Sequence, residues 1–274
     1  MRLKRPPVVL VYGAAVAVLL VFSLALRERA NAPAAPPPMP GLAVALTEAP
    51  SPISAAARAL PTARRRAGAG TAFSVSEAGV WITAAKVVDG CRQAAILVAP
   101  GRGVPARVFT DPSSDLAVLT TEGGAAALPL ASNARLTIGQ RGFQPGYPEG
   151  RPGEATTRLL GRASLRAAVR GATRRDVLVW AEVGRTDGLR GLDGLSGAPV
   201  LDRDGRVVAV TLAQAPRRGR LYAAPLQAVD AILARAGSKP SAGAQGLSLA
   251  IDNYGRVADD LRRNLRVAQA GCIG

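Results

Sequence analysis

Ser196 lies in G-L-D-G-L-S-G-A-P-V, a glycine-punctuated turn that opens onto an apolar run. A hydroxyl presented on such a turn becomes a nucleophile only when a base stands beside it. Two other side chains have the right types to take part: Asp115 in D-P-S-S-D-L-A-V-L, and Lys86 in W-I-T-A-A-K-V-V-D-G. A carboxylate can orient a base; an ammonium can act as base only when burial or neighbouring cations pull its pKa down. Each residue also has an ordinary reading taken singly. Ser196 would be a turn serine, Asp115 a turn cap before a strand, and Lys86 a surface lysine. The chain contains no histidine, which excludes an imidazole base and every histidine-dependent metal site. No metal or cofactor is expected.

The charge must be weighed before these residues are. A formal net charge of +16 over 274 residues invites a nucleic-acid reading. The arginines are scattered, however, in runs no longer than Arg64-Arg65-Arg66 and pairs such as Arg217-Arg218, and no aromatic-bearing nucleic-acid motif accompanies them. A generally basic solvated surface is the better expectation. Arg2, Lys4 and Arg5 precede an uncharged run, Val8 to Leu26, long enough to cross a bilayer as a helix with the N-terminus inside. A cleaved signal peptide competes, with Ala30-Asn31-Ala32 as its site. The run is longer than an ordinary signal core, and Arg27 and Arg29 intervene, so a retained anchor is preferred. Everything beyond it would then lie outside the cytoplasm. Cys91 and Cys272 are the only cysteines, and in an oxidising compartment a lone pair is most simply a disulfide. Closing so long a loop is worth about 5 kcal/mol on the chain-entropy account.

The elements that must position the three residues follow from composition. Residues 1–7 read as a cytoplasmic N-terminus, 8–26 as the anchor and 27–67 as a Pro/Ala-rich linker, with a short helix around Ser54–Leu60. From 68 to 226 the pattern is one of short apolar or alternating runs between turn residues: TAFSVS, VWITAAKVV, AAILVA, ARVFT, LAVLTT, RLTIG, RASLRAAV, DVLVWAEV, APVLD, RVVAVTLA and LYAAPL. Runs of this length predict an all-β domain of sandwich or barrel type, and Asp204-Gly205 predicts a hairpin. Within VWITAAKVV a buried strand should pass into a helical turn carrying Lys86. Residues 227–274 predict a helical extension, with apolar faces on Gln227–Ala236 and Tyr254–Leu265.

Three segments in order, TAFSVSEAGVWITAAKVVDG, DPSSDLAVL and GLDGLSGAPVLDRDGRVVAVT, resemble the trypsin-like serine proteases of the bacterial HtrA/Deg type. In that family they read like G-x-G-F-x-V-x-x-x-G-x-I-L-T-x-x-H-V-V, D-x-x-x-D-L-A-x-L and G-x-S-G-G-P-x-x-x-x-x-G-x-V-x-G. The resemblance spans about Gly70 to Leu226 and implies a two-barrel β fold. It also implies that Ser196 matches the nucleophile and Asp115 the orienting acid, and that the N–H groups of Gly194 and Ser196 form the oxyanion hole. Lys86 falls where the family has its catalytic histidine. Leu195 and Ala198 vary the nucleophile loop, and the stretch from Tyr222 resembles the border of the substrate cleft.

An ammonium has no lone pair to take the serine proton, and a nearby carboxylate favours its charged form. The resemblance therefore implies a Lys86–Asp115 ion pair beside an idle serine. The protein expected is a membrane-anchored protease homologue, impaired in catalysis, that binds a peptide or unfolded segment in its cleft. The inner membrane, with the β domain in the periplasm, is its expected address. Two alternatives stand beside it: an active endopeptidase using a Ser196–Lys86 dyad, and a structural envelope module. Nucleic acid is not an expected partner, and oligomeric state is left open.

Overall fold

The short apolar runs fold as strands, and their turn residues as the bends between them. The computed structural model describes residues 52–59, 69–111, 113–131, 133–166, 174–242 and 244–273. The strands are β1 (Arg58–Ala59), β2 (Gly70–Ser76), β3 (Val80–Ala84), β4 (Gln93–Ala99), β5 (Arg102–Asp111), β6 (Leu116–Thr121), β7 (Arg141–Gly146), β8 (Gly153–Arg166), β9 (Arg174–Arg185), β10 (Pro199–Leu201), β11 (Val207–Ala215), β12 (Arg220–Pro225) and β13 (Val267–Ile273). Among the described residues they are joined by the α-helices α1 (Pro52–Ala55), α2 (Ala85–Val88), α3 (Leu226–Arg235) and α4 (Tyr254–Arg263). The fold is mostly β, as the run lengths predict.

Two six-stranded barrels result. The first runs β5-β4-β13-β2-β3-β6 and closes where β6 pairs back onto β5. Ten-residue β5 reaches both neighbours: Arg102 to Ala106 lie against β4, and Ala106 to Asp111 against β6. The second runs β10-β11-β12-β9-β8-β7 and closes through Leu201 opposite Phe143. Closure removes the open edges that invite aggregation. Trp81, Phe73, Ile82 and Ile96 are fully buried among the strands of the first barrel, and Trp180, Phe143 and Leu178 among those of the second. The buried Trp81 indole N–H donates to Thr121 Oγ1 at 2.9 Å, so its one polar atom is satisfied. Asp204-Gly205 forms the β10–β11 hairpin turn, with Gly205 at φ 69°.

The structure differs from the sequence expectation at three places. The linker expected to run to residue 67 is docked on the first barrel over 52–59. Helix α1 starts before the predicted Ser54, Ile53 is fully buried with its N–H on the Gly124 carbonyl, and β1 pairs with β5. The run RLTIG is a turn, with Ile138 80% exposed, and the strand begins after it at Arg141. The extension expected to be helical ends instead in a strand: α4 stops at Arg263, Leu265 takes φ 56°, and β13 runs into the first barrel. The expected anchor at 8–26 lies outside the described residues, among which no helix is long and apolar enough to cross a membrane.

Strand β13 pairs antiparallel with β2 on one side and β4 on the other. Cys272, near its end, is bonded to Cys91, just past α2. The crosslink closes a loop of 181 residues in sequence and fastens the last strand beside the segment that carries Lys86. Replacing both cysteines by serine in the full chain is expected to lower the free energy of unfolding by about 2–5 kcal/mol. Urea unfolding with and without reductant checks this: reductant should shift the parent's midpoint and leave the double variant's unchanged.

Candidate active site

Ser196 sits between the two barrels on a loop shaped by glycine. Gly194 and Gly197 have φ of 96° and 87°, the left-handed region that other residues rarely take. A Cβ on Gly197 would lie 2.0 Å from the Thr71 carbonyl oxygen and 2.3 Å from Thr83 Oγ1. The loop therefore packs directly against the junction where β3 becomes α2. Gly70 is equally tight, its Cβ position lying 2.4 Å from the Val87 side chain and 2.8 Å from the Ser196 carbonyl. Lys86, in α2, is thus brought to the serine loop by two close backbone approaches.

Thr71 on β2 is the node of this packing. Its N–H donates to the Ser196 carbonyl at 2.8 Å, its hydroxyl donates to the Gly194 carbonyl at 2.9 Å, and the Tyr147 N–H donates to that hydroxyl at 3.0 Å. The carbonyls flanking the loop are therefore turned away from the cleft. The N–H groups of Gly194 and Ser196 meet no acceptor among the described residues, the state an oxyanion hole requires. Leu195 N–H closes a turn on Leu192 at 3.0 Å, and the Leu195 side chain is buried.

A second layer holds the approach to this loop. Glu149 Oε1 accepts from the N–H groups of Arg190 and Gly191, both at 2.9 Å, and the Glu149 N–H donates to the Asp193 carbonyl. The Gln214 amide on β11 donates to the Asp193 carboxylate and accepts from Leu192 N–H. The segment carrying Glu149 is fastened in turn by Arg262 of α4. Its guanidinium donates to the carbonyls of Gly146 and Gly153 and pairs with Glu154 at 2.9 Å and with Asp259. Arg262 was not legible as a site residue: its sequence neighbours are ordinary helix-surface charges, and its acceptors other than Asp259 lie more than a hundred residues away.

The three sequence-selected side chains are brought to one region but not joined. The Ser196 hydroxyl donates to the Leu212 carbonyl at 3.3 Å. Asp115, at φ 55° with its carbonyl accepting from Ala85 N–H, pairs through its carboxylate with Arg175 of β9. The expected Lys86–Asp115 ion pair is absent. Lys86 makes no ion pair or hydrogen bond among the described residues, and its charged neighbour is Asp193. Burial pulls the Lys86 pKa below the usual lysine value, and the negative charge of Asp193 acts in the opposite direction. Arg175 was missed because it reaches Asp115 from the other barrel, with no signal near either in sequence.

Residues 70–210 match the family described as the trypsin-like peptidase domain. The chain belongs to that family. The putative serine protease HhoA of Synechocystis is 31% identical over 202 residues, covering 70% of this chain and 50% of the relative, so the chain spans about half of that relative's length. The active form of the Rv3671c protease from M. tuberculosis superposes with a TM-score of 0.53 at 22% identity, over 73% of this chain and 90% of that one. Its inactive form gives 0.51 at 24% identity, over 62% and 84%. At these identities the structural likeness is one of fold.

This trypsin-like domain also carries a groove of about 960 Å³ on its second barrel, lined by Arg135, Arg141, Arg203, Leu249 and Ile251 among others. None of Lys86, Asp115 and Ser196 lines it. Volume therefore points elsewhere than chemistry does, and the convergence of glycine-shaped loop, free N–H donors and titratable groups marks the site. Among the described residues no group of three Asp, Glu or Cys side chains converges to hold a metal.

Substituting the buried Arg262 by Met strands the part-buried Glu154 carboxylate and two carbonyls, a change expected to cost about 3–5 kcal/mol. Because Arg262 acts on the loop through Glu149, amide hydrogen exchange at Arg190 and Gly191 should accelerate beyond the global change read at Val210 in β11. Uniform acceleration would reduce Arg262 to a general packing residue.

Proposed function

We propose that this chain is a catalytically impaired member of the trypsin-like family, anchored by residues 8–26 with its β domain in the periplasm, and that it works by binding peptide in the former active-site cleft. One observation carries the impairment. The Ser196 proton is engaged by the Leu212 carbonyl while Asp115 is committed to Arg175, so neither proton acceptor nor orienting acid serves the serine. Proteolysis needs a base that takes the hydroxyl proton and returns it to the leaving amine. The side chain in that position is an ammonium, and it makes no bond to Ser196.

Retention of the cleft is supported by the oxyanion loop, whose N–H groups remain directed and unoccupied by internal acceptors. The extracytoplasmic address is supported by the uncharged run at 8–26, preceded by Arg2, Lys4 and Arg5, and by the Cys91–Cys272 disulfide, a bond that persists in oxidising compartments. One observation favours the rival dyad: the depressed Lys86 pKa enlarges the fraction of free amine at alkaline pH. An active dyad would therefore show cleavage that rises with pH and vanishes in Ser196→Ala.

The test is cleavage of an unfolded protein by the full chain from pH 7 to 10. The parent and Ser196→Ala should be equally silent throughout. Lys86→His alone restores a base whose tautomer nothing fixes, because Asp115 still faces Arg175; adding Arg175→Gln should raise cleavage by roughly ten-fold or more. Serine-dependent cleavage by the parent would overturn the impairment.

A further inference from the structure

The cleft presents two kinds of unsatisfied donor side by side. One is the pair of N–H groups at Gly194 and Ser196, held in place because the Thr71 N–H and hydroxyl fix the Ser196 and Gly194 carbonyls. The other is the ammonium of Lys86, an exposed residue on a four-residue helix that packs against the serine loop through Gly70 and Gly197. An ammonium with no internal partner is free to take an acceptor from outside the chain, and an acceptor that reaches it gains a charge-assisted hydrogen bond.

We propose that the cleft is a receptor for the free carboxylate of a peptide C-terminus, one oxygen taken by the N–H groups of Gly194 and Ser196 and the other by the Lys86 ammonium. This rests on the reading of the cleft as a peptide-binding surface and names what it binds. An oxyanion hole is built for a negatively charged oxygen that exists only in the transition state. In a chain that does not form that state, the same donors suit a stable anion, and a terminal carboxylate is the peptide group that supplies one.

An internal peptide carbonyl would satisfy the N–H pair but leave the ammonium unpartnered. A carboxylate satisfies both. Neither carboxylate described beside the loop substitutes for it: Asp115 is paired with Arg175, and Asp193 accepts from the Gln214 amide. The negative charge of Asp193 weakens the pull on an incoming anion without giving Lys86 a hydrogen bond. Lys86 is therefore the residue on which discrimination between acid and amide depends, and histidine at the same position, neutral near pH 7, would not provide it.

The experiment uses one pool of N-acetylated octapeptides with randomised side chains, made once as free acids and once as C-terminal amides, passed over immobilised full-length protein at neutral pH. The parent is expected to retain the acids roughly ten-fold more than the amides, the discrimination of one charge-assisted hydrogen bond. The ratio should fall to about one in Lys86→Met and persist in Lys86→Arg, which restores a cation. Equal retention of both pools by the parent, or a ratio that survives Lys86→Met, overturns the carboxylate assignment while leaving a peptide-binding cleft. Retention of neither pool overturns both readings.

Discussion

The pairing of β13 with β2 and β4 is the constraint on which the rest of the structure depends. Within the first barrel those two strands touch no other partner between them, so the ring is closed by residues within eight of the chain's end. Antiparallel ladders must satisfy every buried N–H and carbonyl. If β13 left, facing edges of β2 and β4 would be exposed at once. Strand β2 also holds Thr71, whose three hydrogen bonds set the carbonyls of Gly194 and Ser196 and the start of the Tyr147 loop. The geometry of the serine loop is therefore tied to the last strand through one intermediate residue. Helix α4, immediately before that strand, fastens the opposite side through Arg262. What reads in sequence as an appendage is a structural wall of the site.

The charges of the site rearrange rather than vanish. A lysine in place of a proton shuttle was expected to neutralise Asp115. Instead Asp115 takes an arginine from β9, and the ammonium is left near Asp193. The choice has a physical reason. Arg175 brings a planar fork to a carboxylate that is 44% exposed, whereas Lys86 offers a single flexible point charge. Paired with Arg175, Asp115 is not directed at a base beside Ser196.

The barrels were legible because their strands are bounded by local signals, and the three motifs fix which loop meets which. VWITAAKVV does pass from strand to helix at Ala84–Ala85, and Asp204-Gly205 does turn a hairpin. RLTIG misled because alternation alone does not reveal which face is buried; in the fold the run is a turn and the following RGFQPG, with its proline and glycines, is the strand. VAQAGCI was absorbed into a helical extension because nothing local separates it from α4 except Asn264-Leu265, and Leu265 is an unusual residue for positive φ. Thr71, Arg175 and Arg262 carry no local mark at all. Their roles are contacts between residues far apart in the chain, which pattern and propensity do not encode.

Glycine at 194 and 197 bears on whether the cleft still matters. Each sits at positive φ, and a side chain at either would run into backbone within 2.4 Å, at the Tyr147 or Thr71 carbonyl oxygen. Such a loop is conformationally expensive to order, since glycine loses more freedom on folding than other residues. A barrel pair needing only a rigid connection between Leu192 and Pro199 could use an ordinary turn with its carbonyls bonded internally. The arrangement found here leaves two N–H groups without internal acceptors in order to present them together. That geometry leaves both donors to whatever acceptor, water included, enters the cleft. A serine whose proton is already donated to Leu212 does not provide one. The loop makes physical sense as a binding element whether or not the reaction beside it can run.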